Sequence, residues 1–296
     1  MKAALLPERG VIKVAGEDGR RFLNGLLTSD IGKVSPERAC FTALLTPQGK
    51  IIADFIVAEA RGGDGGGLFL DCPRPLAPAL MQRLNMYKLR AQVLVEDLSE
   101  MLGVLALWDD AVPTRYGLCY ADPRLPALGL RCMLPPHLAG AAAAELGAEL
   151  LEAASYEAHR IALGVPRGGL DFMYGDAFPH ETDMDQLGGV DFEKGCFVGQ
   201  EVVSRFEHRG IARKRVVPIA YDGFAPEAGT PVHAGERAVG TLGSSTGGRG
   251  LAMLRLDRVA EALAAGRSLE ADGVEIRPVK PAWARFPFPG EAKAAE

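Results

Sequence analysis

The chain has 296 residues, 48% hydrophobic and 24% charged, with a formal net charge of −5. That length exceeds one ordinary core and implies two or three soluble domains, while the mild acidity excludes the basic footprint of a bulk nucleic-acid binder. No stretch approaches the ~20 apolar residues of a membrane span and residues 1–14 hold no apolar run of signal-peptide length, so a cytoplasmic protein with no membrane or direct nucleic-acid partner is expected.

In chain order, residues 11–15 read as a strand. Residues 18–27 read as a helix, with Phe22, Leu23, Leu26 and Leu27 at helical spacing. Two strand-like runs, 39–46 and 51–58, flank Pro47-Gln48-Gly49-Lys50, which is turn chemistry for a hairpin. RGGDGGG, residues 61–67, is expected to be a flexible loop tip; it lacks the Gly-Lys-Ser/Thr ending of a phosphate-binding loop. A strand at 68–71, a helix at 75–89 with Pro75 near its start, and strands at 93–95, 102–107, 115–120 and 128–134 follow. Helices are expected at 137–146 and 155–163, then an ordered loop rich in Gly, Asp and aromatic residues to 187. After Gly210 short strands alternate with turns around one helix at 257–265, the pattern of a small barrel or sandwich. The division predicted is 1–209, 210–290 and a disordered polar tail, 291–296.

The five cysteines, Cys40, Cys72, Cys119, Cys132 and Cys196, are widely and irregularly spaced and include no C-x-x-C pair. A disulfide framework is not expected, and reduced thiols suit a cytosolic protein. Cys40, Cys72, Cys119 and Cys132 lie in apolar, strand-like surroundings, where a cysteine is a small hydrophobe.

Cys196 differs. It sits in GVDFEKGCFVGQEVVSR, residues 189–205, between Gly195 and Phe197, with Lys194 upstream and Gly199, Gln200 and Glu201 downstream. The glycines permit tight turns. Beyond Gly199, Val202, Val203 and Phe206 share a helical face from which Gln200, Glu201 and Arg205 point away. A thiol just ahead of a helix N-terminus, beside a lysine, is predisposed to ionise, so Cys196 and Lys194 are the candidate chemical pair. Gln200 and Glu201 would orient the loop, and Arg205 would add positive charge.

KGCFVGQE, residues 194–201, resembles the signature of the YgfZ family, folate-binding relatives of the glycine-cleavage T-protein that assist iron–sulfur cluster assembly or repair. GEDGRRFLNGLLTSDI (16–31), TPQGKIIADFIV (46–57), RIALGVPRGG (160–169) and FPHETDMDQLGGVDF (178–192) extend the resemblance over most of residues 10–210. It implies an α+β fold of T-protein type: two interleaved subdomains around a central folate hole, with a C-terminal β-barrel. It also implies binding of tetrahydrofolate or a derivative. Glu181 would accept the amino-pyrimidine edge of the pterin, Arg90 would face the anionic tail, and Tyr174 would stack on the benzoyl part. Each has an ordinary alternative: a capping or solvated glutamate, a surface arginine, a packed aromatic. Asp54 follows Ala53 where T-proteins carry two adjacent aspartates, and which of the pair carries the transfer chemistry decides whether that chemistry survives.

Three functions are open at this point. The resemblance implies an iron–sulfur assembly or repair factor whose Cys196 thiolate attacks, protects or transiently ligates a cluster. One thiolate cannot hold a cluster alone, so the cluster would be shared with a carrier or client protein, and tRNA modification would be affected through iron–sulfur enzymes. The second is a folate-dependent aminomethyltransferase or demethylase, against which Ala53 and the Cys196-Gln200-Glu201 set both count. The third is a non-enzymatic module with Cys196 as a redox sensor.

Overall fold

The computed structural model describes residues 1–62, 66–210 and 212–290; the expected tail at 291–296 lies outside the described residues, as do 63–65 of the glycine-rich loop. The chain forms two compact units, Met1–Glu157 with Leu187–Val202, and Ala158–Gln186 with Val203–Glu296.

The first unit holds two five-stranded sheets whose strands are interleaved along the chain. One has the order β10(Glu149–Leu151)-β1(Lys2–Leu6)-β7(Gly103–Trp108)-β9(Leu130–Leu134)-β8(Leu118–Ala121). The other has the order β3(Cys40–Leu45)-β4(Ile51–Glu59)-β5(Leu68–Pro73)-β2(Arg9–Ala15)-β6(Leu94–Asp97). The whole second sheet is thus inserted between β1 and β7 of the first. Alternation along the strands gives each sheet two apolar faces. Ala53, Phe55 and Val57 of β4 pack with Leu23 of α1 (Gly19–Leu26) and with Leu80 and Leu84 of α2 (Ala77–Tyr87). On the other sheet, Leu105, Leu107 and Cys132 pack with Ala139, Ala142 and Ala143 of α3 (Ala139–Glu145).

The inner faces of the two sheets meet across buried charge. Asp71 of β5 accepts from Arg9 Nε at 2.5 Å, from Arg131 Nη1 at 2.8 Å and from the Tyr120 hydroxyl at 2.8 Å. Arg131 also donates to Asp122 at 2.8 Å, and Arg124 closes on the same carboxylate with two bonds. Burial alone would raise both carboxyls, but Arg9 and Arg131 hold Asp71, and Arg124 and Arg131 hold Asp122, below the usual carboxylate range. An ion network of this kind is costly to form and costlier to break one-sidedly.

The second unit is built on a closed barrel, β11(Lys214–Tyr221)-β14(Arg249–Arg255)-β13(Arg237–Thr246)-β12(Pro231–Ala234)-β15(Leu269–Ala271)-β16(Val274–Pro278). Leu256, Val259 and Ala262 of α6 (Leu256–Ala264) join its core. The segment 158–186 is pinned to it by two buried arginines. Arg160, on α4 (Ala153–Ala162), bonds Asp171 at 2.8 Å and Ser244 at 2.7 Å. Arg215 of β11 bonds Asp183 at 2.9 Å and grips Asp185 with two bonds. These pins place residues 158–186 with the barrel, where sequence punctuation alone put the division at 209/210.

Two sequence expectations change. β1, β10 and β15 are strands that periodicity did not mark: KAALL lacks β-branched residues, and ELL and LEA are three residues long, so pairing with neighbours makes them strands. Cys119 and Cys132, expected as separate buried thiols, form a disulfide with Cα atoms 4.1 Å apart. The antiparallel register of β8 and β9 sets them directly opposite, and register is not written in the local pattern.

Replacing Asp71 by Ala would strand Arg9 and Arg131 and is expected to cost about 3–5 kcal/mol of stability in urea titrations. Both folded-state carboxyl values lie below the ordinary unfolded value of about 3.9, so their contribution is full above about pH 4 and lost as pH falls through the folded values. The first unit's stability should fall along that limb, and Asp71→Ala should flatten it; an unchanged acid limb would remove the network from the account.

Candidate functional site

The signature segment is fastened to the first sheet's neighbour at several points before it reaches Cys196. Thr28, fully buried, donates its hydroxyl to Gly189 O at 2.6 Å and accepts from Ala43 N at 2.9 Å. Asp191 N donates to Thr28 O at 3.0 Å. The Asp191 side chain then organises the turn, with Oδ1 accepting from Glu193 N and Lys194 N at 3.0 and 3.2 Å, and Oδ2 accepting from Lys33 Nζ at 2.5 Å. Burial alone would raise the Asp191 carboxyl, but Lys33 and these backbone donors together hold it below the usual carboxylate range.

Lys194 is the main anchor. Its ammonium donates to the carbonyls of Asn24, Leu27 and Ser29 at 2.7, 2.6 and 2.9 Å, at and beyond the C-terminal end of α1. Thr28 N, which a continuing helix would direct to Asn24 O, goes to Ala43 O instead, and a helix C-terminus favours a cation. Burial pushes the Lys194 ammonium down to about 8, against the pull of Asp30 and Asp191. Lys194 also lies 5.4 Å from the ring centroid of Phe197, which is itself buried. The charge assigned by sequence to the Cys196 thiol is therefore placed on three carbonyls and an aromatic face.

A second anchor follows the cysteine. Gly199 has φ +83°, and a Cβ there would lie 2.7 Å from Thr46 O and 3.1 Å from Gly49 Cα. Gly49 has φ +81°, and a Cβ on it would meet Val202 at 3.0 Å. The TPQGK turn and the KGCFVGQE loop thus touch backbone to backbone. Between the two anchors Gly195 and Cys196 are exposed. Gln200 opens α5 (Gln200–Arg209), its N–H on Phe197 O at 3.3 Å; Glu201 lies exposed in the first turn and Arg205 exposed one turn on.

The thiols divide by setting. Burial pushes Cys40 and Cys72 each up to about 12, which keeps them protonated at neutral pH. Cys119 and Cys132 are bonded to each other. Cys196 alone among the described cysteines is both free and exposed.

The residues expected at folate have these positions. In the first unit, Asp54 is buried on the inner face of β4 while Ala53 points into the apolar layer under α1 and α2, and Arg90 is exposed just beyond α2. In the second unit, Glu181 accepts from Phe178 N at 3.0 Å and so caps the short 3-10 turn Pro179–Thr182. A carboxylate has about four acceptor positions, so that cap leaves room for a ligand's N–H groups. Tyr174 is half-buried over Gly168, where a Cβ would lie 2.1 Å from its hydroxyl, and stands edge-on to Phe172 at 5.5 Å. His180, Asp185 and Glu207 also converge, with ligand-type atoms within 4.8 Å of one another. Arg215 already supplies the cation there, bonded to both oxygens of Asp185.

Sequence reasoning missed Asp191 and Lys33, and read Thr28 only as a residue at the end of α1 that serves as a cap or a ligand. Asp191 stands three residues before Lys194, the spacing of a side-chain-capped turn, and that was the available signal.

With this geometry in hand, the comparisons define the class. The whole chain superposes on the glycine cleavage system aminomethyltransferase T of Bartonella henselae with a TM-score of 0.74 at 15% identity, over 97% of this chain and 87% of that one. The fold is therefore the T-protein type with a C-terminal barrel, and residues 213–286 match the CAF17 C-terminal β-barrel domain. Iron–sulfur cluster assembly factors named IBA57 are similar along the chain: 30% identity in Mus musculus (94% of this chain, 84% of that one) and 30% in Homo sapiens (86% and 77%). An IBA57 homolog of Mycosarcoma maydis is 36% identical over 74% of this chain. The chain belongs to the family of iron–sulfur cluster assembly factor IBA57, within which the YgfZ resemblance holds at the broad level. It spans little more than half the length of the first fungal relatives, 57% and 54%.

These relatives are named mitochondrial, which overturns the cytoplasmic expectation. Composition and thiol usage report solubility and redox state, and neither separates one reducing compartment from another.

Substituting Lys194 by Met should free residues 191–199, read as at least tenfold faster amide exchange there with barrel exchange unchanged. Gly199→Ala should act on the same segment at a cost of about 1–3 kcal/mol, because φ +83° is strained for alanine. Unaltered exchange in both variants would show that the two anchors do not hold the loop.

Proposed function

We propose that this protein is an iron–sulfur cluster assembly or repair factor that works through the Cys196 thiol. The observation that carries the reading is an exposed, free cysteine displayed between two fastened points, Lys194 and Gly199. A display thiol of this kind is suited to a sulfur- or iron-directed exchange with another protein. The cluster is cargo: a single thiolate supplies one of the four ligands such a site uses, so the remaining ligands would come from a carrier or client. Effects on tRNA modification would follow through iron–sulfur enzymes. Lys194, Gly195, Phe197 and Gly199 present the thiol, and half-buried Gln200 with exposed Glu201 and Arg205 would form the polar flank a partner meets. Family membership supports the pathway, as the relatives' names state it for those proteins.

We also propose a tetrahydrofolate or a derivative as ligand. Glu181, already oriented by its bond to Phe178, would take the amino-pyrimidine edge, and Tyr174, in the same unit and edge-on to Phe172, would stack on the benzoyl part. Asp54 and Arg90 are the corresponding candidates in the first unit. When bound, the folate would supply one-carbon chemistry or serve as a structural ligand. Aminomethyl transfer is not favoured, because position 53 is an alanine packed among apolar side chains.

The test is complementation of a strain lacking its own homologue. Wild type should restore iron–sulfur enzyme activity, while Cys196→Ala at matched soluble expression should lose at least tenfold. Its melting temperature should stay within about 1–2 °C, as for an exposed substitution. Equal rescue by both proteins would overturn the thiol's role. Separately, Glu181→Gln should weaken tetrahydrofolate binding at least tenfold by calorimetry, and no binding by wild type would overturn the ligand.

A further inference from the structure

Phe192 precedes Cys196 in the signature segment and keeps 40% of its surface exposed. Among the described residues only one other phenylalanine, Phe224, is exposed to this degree. A single exposed apolar side chain is common on protein surfaces, but this one stands on a turn that is closed from within. Asp191 Oδ1 accepts from Glu193 N and Lys194 N, Asp191 Oδ2 accepts from Lys33, and the Lys194 ammonium is held by three carbonyls. The first and last side chains of the turn are thereby drawn inward, and the two between them, Phe192 and Glu193, are exposed. The other ring of the segment, Phe197, is buried. An aromatic on a turn already fixed at both ends loses little further freedom when it is covered, and rigid aromatic side chains of this kind are the usual anchors of interfaces. Charge is sorted in the same way. Lys194 and Lys33 are committed to carbonyls and to Asp191, whereas Glu193 and Glu201 are exposed carboxylates before and after the cysteine.

We propose that Phe192 is the apolar anchor of a protein–protein interface at Cys196, and that the occupant is a cluster-carrying protein with an apolar pocket rimmed by Lys or Arg beside its cysteine ligands. This rests on the reading of Cys196 as a thiol that faces a partner, and it adds what the partner's face must carry. The ring fills the pocket and keeps water from the contact between the thiol and the cluster's ligands. Glu193 and Glu201 meet the basic rim, which steers the encounter and sets its orientation. Phe192 is a docking residue and not a holder of the loop, because the holding is done by Asp191, Lys194 and Gly199.

The experiment measures binding of the full chain to a purified carrier protein that holds an iron–sulfur cluster on exposed cysteines, by biolayer interferometry. Phe192→Ser should weaken binding at least tenfold, mainly through faster dissociation, while Phe192→Leu, which keeps an apolar side chain, should lose about threefold or less. Glu193→Lys should slow association at low salt, with the difference closing at high salt. In every variant iodoacetamide should alkylate Cys196 at a rate within about twofold of wild type, as expected when the loop is still held. Wild type that binds no carrier would overturn this proposal together with the assembly function on which it rests. Carrier binding by wild type with equal affinity in Phe192→Ser would overturn the anchor alone. Lost binding accompanied by an equal change in the alkylation rate would show that Phe192 holds the loop, and would overturn its docking role.

Discussion

Three carbonyls at the end of α1 accept from one side chain, the ammonium of Lys194, and the display of Cys196 depends on that closure. A helix C-terminus ends in acceptors that its own backbone cannot satisfy, and a cation is the group that best completes them. Here the cation comes from a segment more than 160 residues further along the chain. The same lysine lies over Phe197, so the residues on either side of Gly195-Cys196 are fixed through one contact set. The cysteine is left pointing outward because its neighbours are fastened inward. Lysine has three donors, and three are used. An arginine would present a planar fork to acceptors that converge on a point.

The glycines complete this arrangement in a way side chains cannot. Gly49 and Gly199 both have left-handed backbone and both face one another, so each is required twice, for its dihedral and for its lack of Cβ. The turn after β3 and the turn before α5 are thereby one structural feature. That links the TPQGK and KGCFVGQE motifs physically and explains why both stand out against their surroundings in composition.

Much of this was legible and some of it was not. Apolar periodicity marked α1, α2, β3, β4 and most barrel strands to within a few residues, because each buries one face against its own unit. The exposure of Cys196 was legible because Lys-Gly before it and Gly-Gln-Glu after it are poor core material. The destination of the Lys194 charge was not, since sequence adjacency places lysine beside cysteine while the fold draws its side chain to α1. Asp191 and Lys33 form a pair 158 residues apart, and no local pattern encodes that. The disulfide was missed for a related reason. Its cysteines are 13 residues apart on two strands joined by one connection, and their meeting depends on register, which the inward face of a sheet sets only after the other strands are in place.

The fold is shared with an aminomethyltransferase, and fold alone does not carry chemistry with it. Alternation along β4 separates the two positions where the resemblance implied adjacent aspartates. Side chains at 53 and 54 point to opposite faces of one strand. Position 53 opens onto the layer of Leu23, Leu80 and Leu84, and alanine there leaves that layer wholly apolar. Position 54 opens onto the inner face, where Asp54 adds its field to Arg9, a guanidinium already bonded to Asp71. Neither position carries the exposed thiol, which belongs to Cys196 in the loop between Lys194 and Gly199.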